Sequence, residues 1–151
     1  MEIKELGHIV LYVHDMDVSA HFYGQVLGWK LLGRPARNVA LFSSGRTHHE
    51  LLLIEVGADA PPVATGHRAG LYHFGLKIGT TDDELRAAYR ELEAAGVAIQ
   101  GATDHGFTHS LYIADPDGNE IELYIDVQPE LWRTDPAAVL ADLRPKRLQL
   151  F

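Results

Sequence analysis

The sequence predicts an α+β fold in which two βαβββ modules form an open, incomplete barrel around a cleft. Three observations predict it. A strand–helix–three-strand order occurs twice along the 151 residues. Each helical stretch follows a capping residue and stops at a glycine, Gly28 in the first case and Gly96 in the second. And the stretch from Leu111 to Tyr124 reads as a hairpin closed by Asp115-Pro116-Asp117-Gly118-Asn119, in which Pro116 presets φ and Gly118 tolerates φ > 0.

In order, Ile3–Val13 alternates and reads as a strand, with Leu6, His8, Val10 and Tyr12 on one face. Asp15 or Asp17 caps a helix over Val18–Leu27. Lys30–Leu32, Asn38–Ser43 and His48–Glu55 read as three strands, with Gly33-Arg34-Pro35 and Ser43-Ser44-Gly45-Arg46 as turns. The Gly- and Pro-rich stretch 57–70 reads as a linker. The pattern then restarts: a strand over Leu71–Ile78, a helix over Glu84–Ala95 capped by Thr80, Thr81 or Asp82, and strands over Val97–Ala102, Ser110–Ala114 and Glu120–Ile125. The expected organisation is one domain over 1–127, with modules at about 4–56 and 71–127, and a tail over 128–151 packed on the domain or on a partner. A short helix is expected near Pro136–Leu143.

The repeat carries functional weight. Leu6-Gly7-His8-Ile9-Val10-Leu11 aligns with Leu71-Tyr72-His73-Phe74-Gly75-Leu76, and His48-His49-Glu50-Leu51-Leu52 with Glu120-Ile121-Glu122-Leu123-Tyr124. His8 then corresponds to His73, and Glu50 to Glu122. In the last strand Ile121, Leu123 and Ile125 share one face, while Glu120, Glu122 and Tyr124 share the other. A mid-strand carboxylate there is either solvated or bound, and Glu122 is read as a metal ligand.

Composition excludes several classes. The formal charge of −8 argues against a nucleic-acid backbone as partner. No apolar run approaches the roughly 18 residues of a membrane span. Glu2, Lys4 and Glu5 interrupt any signal-peptide pattern, so a cytoplasmic location is expected. Without cysteine there are no disulfides and no thiolate metal sites. Neither a nucleotide-binding Gly-rich loop nor a Gly-x-Ser-x-Gly elbow occurs. Arg34, Arg37, Arg46 and Arg68 are scattered in loops and are read as mostly solvated.

The repeated unit, a His opening each half and Asp-Pro-Asp-Gly-Asn-x-Ile-Glu-Leu near the end together resemble the vicinal oxygen chelate superfamily, over about residues 4–127. His48-His49-Glu50-Leu51-Leu52-Leu53 and Asp104-His105-Gly106 ahead of Ser110-Leu111-Tyr112 resemble its type I extradiol (catechol 2,3-type) dioxygenases. That resemblance implies an Fe(II) enzyme cleaving a catechol-like diol with O₂, with metal ligands His8, His73 and Glu122, and with His49, His105 and Tyr112 around the substrate. Mn, Zn, Ni or Co can use the same ligands. The shorter spacing between His105 and Tyr112, and a single pair of modules where larger members have two, depart from the pattern. In a regular strand, His49 and Glu50 cannot both face the cleft. The resemblance favours His49; the repeat alignment favours Glu50, which would give a glyoxalase- or epimerase-type site instead. A metal-free protein that sequesters aromatic compounds is the third reading. His14, His21, His48, His67 and His109 are assigned to the surface or to packing. Exposed sheet edges lead to the expectation of a homodimer.

Overall fold

The computed structural model describes residues 1–135, 137, 139 and 144–151. The fold is α+β, with two mixed sheets, neither closed on itself. The helix expected over 136–143 falls largely outside the described residues. Among those described, no helix is long and apolar enough to cross a membrane. The chain divides into two compact units, Met1–Ala64 with Asp115–Gly118, and Thr65–Ala114 with Asn119–Phe151.

The first unit holds β1 (Ile9–Val13), α1 (Met16–His21), β2 (Leu31–Ala36), β3 (Val39–Phe42) and β4 (Leu51–Glu55) in the sheet order β1-β4-β3-β2. The Asp15 carboxylate caps α1 by accepting from the backbone of Asp17 and Val18 at 2.9 and 3.0 Å. The helix runs on into a π-helical turn, Phe22–Val26, and Gly28 ends it at φ +69°. Met16, Ala20, Phe22 and Tyr23 from this helical segment and Leu11, Val13, Ala40, Phe42, Leu51 and Leu53 from the strands form the buried core. Each fully buried side chain of this size contributes about 1.5–3 kcal/mol. On the other face Val10 and Tyr12 are exposed.

Three expectations change here. β1 begins at Ile9, so His8 precedes the strand rather than sitting in it. β4 begins at Leu51, so His49 and Glu50 both lie ahead of the regular strand. Gly33-Arg34-Pro35 is not a turn but part of β2. β2 is an edge strand with register slips on either side of Gly33, a place where a residue without an N–H is tolerated.

The second unit holds β5 (His73–Gly79), α2 (Asp82–Ala94), β6 (Gly101–Asp104), β7 (Thr108–Ala114), β8 (Glu120–Asp126), the short α3 (Leu131–Thr134) and β9 (Lys146–Arg147), in the sheet order β5-β8-β7-β6-β9. Thr81 and Glu84 form a capping box at the start of α2. A Cβ at Gly79 would lie 2.6 Å from the Glu84 carboxyl and would push that carboxyl out of its capping position. Leu85 and Leu92 of α2 are buried with Phe74, Leu111, Ile113, Ile121, Leu123 and Ile125 of the sheet. The chain end lies on this unit. β9 pairs with β6, Leu150 is buried, and Arg86 Nε donates to the Leu150 carbonyl at 2.8 Å.

The strand registers correct the repeat alignment. Ile9 pairs with Leu51 in the first unit, and Phe74 with Ile121 in the second. If His8 corresponds to His73, Glu50 therefore corresponds to Glu120, and Leu52 to Glu122. The alignment of Glu50 with Glu122 is two residues out.

Candidate metal centre

The second unit gathers four of the six predicted site residues on the sheet face opposite α2. Glu122 pairs with Tyr112 on β7 and with Gly75 on β5, and His73 pairs with Glu120. His73 Nε2 stands 3.3 Å from Glu122 Oε2. The Tyr112 hydroxyl donates to Glu122 Oε1 at 3.1 Å, and His105 Nε2 is 2.9 Å from the same hydroxyl and 3.7 Å from Glu122 Oε1. Burial, followed by the Glu122 charge, pushes the Tyr112 phenol well above its ordinary range, so it stays a protonated donor at neutral pH. His105 is aimed by the tight loop between β6 and β7, where Gly106 takes φ +86° and donates to Asp104 Oδ1 at 2.7 Å.

Two residues of this face were not assigned a role from sequence. Ser110, fully buried, donates to Glu122 Oε1 at 2.6 Å. Its spacing two residues before Tyr112 on an alternating strand is the signal that places it on the same face. Glu120 Oε1 lies 3.3 Å from His73 Nδ1.

The first unit gathers imidazoles. The His49 ring lies 4.6 Å from His8 and 4.4 Å from His48, with the Nδ1 atoms of His48 and His49 2.6 Å apart. Desolvation, then the neighbouring His48 and His8, lowers the His49 pKa, so this ring is neutral at pH 7. Glu50 is committed elsewhere. Its Oε2 accepts from the Ser44 backbone at 2.5 Å, and its Oε1 from the Ser44 hydroxyl at 2.7 Å and Arg46 Nε at 3.0 Å. Burial alone raises the Glu50 carboxyl, but these donors together hold it below the usual range. Arg46, read from sequence as solvated, also donates to the carbonyls of Leu6 and Gly7 at 3.2 and 3.1 Å and so ties down the segment that leads to His8.

Among the described residues no group of three His, Cys, Asp or Glu is disposed to hold a metal ion. The donor pair His73 Nε2 and Glu122 Oε2 does fit one. Two adjacent donors on a single metal, each with a bond of about 2.0–2.2 Å, stand about 3 Å apart, close to the 3.3 Å observed. An imidazole with a carboxylate also suits divalent iron, manganese and zinc.

Residues 5–123 match the family described as the glyoxalase/bleomycin resistance protein/dioxygenase superfamily. The chain belongs to this superfamily. It is similar to catechol-2,3-dioxygenase of Bacillus subtilis, at 33% identity over 89% of this chain and 46% of that protein. It is similar to biphenyl-2,3-diol 1,2-dioxygenase 3 of Rhodococcus globerulus, at 32% over 80% of this chain and 63% of the relative. The chain therefore spans about half to under two-thirds of the length of these dioxygenases. A lactoylglutathione lyase of Neisseria meningitidis matches at 30% over 78% of this chain and 87% of that protein. Among solved structures, a glyoxalase/dioxygenase from Nostoc punctiforme superposes with TM-score 0.67 at 26% identity, over 83% of this chain and 92% of that one.

Proposed function

We propose that the protein is an Fe(II)-dependent extradiol dioxygenase that opens the ring of a catechol-like diol, inserting both atoms of O₂. The observation that carries the reading is the His73–Glu122 donor pair, flanked by Tyr112 and His105 in a continuous hydrogen-bonded set. The similarity to two dioxygenases named for aromatic diols points the same way. The metal set of the proposal is His73 and Glu122 together with His8. A divalent metal held by these residues would lower the pKa of the diol and supply the redox chemistry with O₂. His49, neutral at pH 7, accepts a proton from the diol and returns it to the ring-opened product. Tyr112 holds the Glu122 carboxylate in place, and His105 shares the Tyr112 hydroxyl.

A glyoxalase-type isomerase, the reading that the lyase relative and its similar length favour, needs Glu50 free as ligand or base. The engagement of both Glu50 oxygens by Ser44 and Arg46 supports His49 instead. The protein is expected to act in the cytoplasm as a homodimer, with partners limited to the diol and O₂. The test is anaerobic reconstitution with Fe(II), followed by oxygen uptake over a panel of catechols. Uptake that depends on both Fe(II) and a catechol is the expected result. Retention of iron with no uptake on any catechol would remove the dioxygenase reading.

A further inference from the structure

We propose that Glu120 is a positioning residue for His73: it holds the Nδ1–H of that ring and so presents a bare Nε2 toward Glu122 as the metal-ligating nitrogen. The inference rests on the metal-binding part of the function proposed above.

His73 and Glu120 are direct partners in the parallel β5/β8 ladder, so their side chains leave the same face side by side. The imidazole is flanked at both nitrogens, by Glu120 Oε1 at 3.3 Å from Nδ1 and by Glu122 Oε2 at 3.3 Å from Nε2. The two carboxylates differ in what else they hold. Glu122 Oε1 already accepts from Ser110 and Tyr112. Glu120 Oε1 and His73 Nδ1 are both buried, and neither makes an aligned hydrogen bond with any partner. Two orphaned buried atoms, one an obligate acceptor and the other a potential donor, face each other across 3.3 Å. A small rotation of either side chain joins them and removes both costs.

The Tyr72 ring packs on His73 with centroids 4.6 Å apart and so limits the rotation of the imidazole. The first unit offers a contrast. The register places Glu50 in the position of Glu120 beside His8, but its oxygens are taken by Ser44 and Arg46. A histidine that binds a metal through one nitrogen commonly donates the other N–H to a carboxylate, which fixes the tautomer. Removing such a partner costs about 10–100-fold in metal affinity.

The test uses the full chain with ¹⁵N-labelled histidine, and Zn²⁺ as a diamagnetic probe. In the wild-type protein His73 is expected to bind zinc through Nε2 and to keep a slowly exchanging proton on Nδ1. Glu120→Ala, folded by circular dichroism, should lose about 10–100-fold in zinc affinity and expose that proton to rapid exchange. Glu120→Gln, whose amide oxygen still accepts, should restore the protected proton and most of the affinity. Zinc on Nδ1, no zinc uptake by the wild type, or a Glu120→Ala protein with unchanged affinity and a protected proton would each overturn the inference. The expected zinc-bound tautomer alongside an iron-loaded protein that consumes no O₂ supports the role of Glu120 and counts against ring cleavage alone.

Discussion

The two modules share a strand order and a capping logic, yet the faces they turn away from their helices carry different chemistry. Matched by register, Val39, Leu41, Leu52 and Ile54 of the first module stand where the second has Ser110, Tyr112, Glu122 and Tyr124. One face is aliphatic, with imidazoles gathered just ahead of its strands. The other is a hydrogen-bonded set of carboxylate, phenol and hydroxyl. A duplicated scaffold tolerates this because the buried side of each strand is set by packing, whereas the opposite side is free to differ.

The comparison breaks most sharply at its matched pair. Glu122→Ala should lose metal by more than the 10–100-fold that an outlying hydrogen-bond partner costs, and with it all turnover. Leu52→Ala, at the equivalent position, should leave metal content unchanged and reduce thermal stability alone. Metal analysis after chelator challenge checks both. Full occupancy in Glu122→Ala would sink the site.

The next largest effect belongs to the first module. His49→Phe should keep Fe(II) and lose turnover by a factor on the order of 10²–10⁴, the worth of a positioned acid–base group. Glu50→Gln should keep metal and turnover but cost about 1–3 kcal/mol of stability, because it weakens buried charge-assisted bonds to Ser44 and Arg46. Metal loss from Glu50→Gln with an indifferent His49→Phe promotes the glyoxalase-type reading.

Tyr112→Phe sharpens the second module. Its hydroxyl bonds a carboxylate, a contact worth about 1.5–3 kcal/mol, so turnover should fall about tenfold to a hundredfold with metal retained. Steady-state oxygen uptake measures it, and an unchanged rate would reduce Tyr112 to a packing residue.

What was legible in the sequence followed from local chemistry. Asp15, Thr81, Gly28 and Gly96 act on their own neighbours, and the helix ends fall close to where these residues put them. The alternation of β8 is equally local, and Ile121, Leu123 and Ile125 are buried as it requires. The register between modules was not legible. A one-residue slip turns a strand inside out, but a two-residue slip keeps every side chain on its face. Periodicity therefore cannot tell whether Glu50 matches Glu122 or Glu120. Likewise the part of β2 beyond Leu32 was hidden by Gly33 and Pro35, turn residues whose placement on a sheet edge depends on strand order. Ser110 and Glu120 gain meaning only through partners on neighbouring strands, which a single sequence does not name.

The smallest predicted effect separates the modules by pH. Each carries one titratable side chain near the junction of its first strand and its helix; in the first module its partner Asp117 also accepts from Ser19 of the helix at 3.2 Å. In the first module His14 Nδ1 faces Asp117 Oδ1 at 2.5 Å, and Nε2 faces the Ala60 carbonyl at 2.9 Å. Both partners are acceptors, so the protonated ring, with a donor at each nitrogen, satisfies both. The Ala60 carbonyl first, then the Asp117 hydrogen bond and charge, raises the His14 pKa against a smaller opposing effect of burial. A raised folded pKa gives stability that is complete below the unfolded value, about 6.5, and that is lost as pH rises through the folded value. In the second module Glu84 Oε2 accepts from the backbone of Thr80 and Thr81 at 2.9 and 3.0 Å and from the Thr81 hydroxyl at 2.8 Å. The Thr80 N–H, followed by the Thr81 hydroxyl, lowers its pKa against slight burial. A lowered folded pKa gives stability that is present above the unfolded value, about 4.3, and that is lost as pH falls through the folded one. The modules should thus loosen at opposite ends of the scale. Amide exchange over Val18–Tyr23 should quicken above neutrality in the wild type relative to His14→Ala, and exchange over Leu85–Leu92 should quicken in acid relative to Glu84→Ala. Taking the difference between wild type and variant at each pH removes the intrinsic rise of exchange with base. If His14→Ala leaves the alkaline response of the first helix unchanged, the junction owes nothing to the imidazolium and the asymmetry of the modules is confined to their strands.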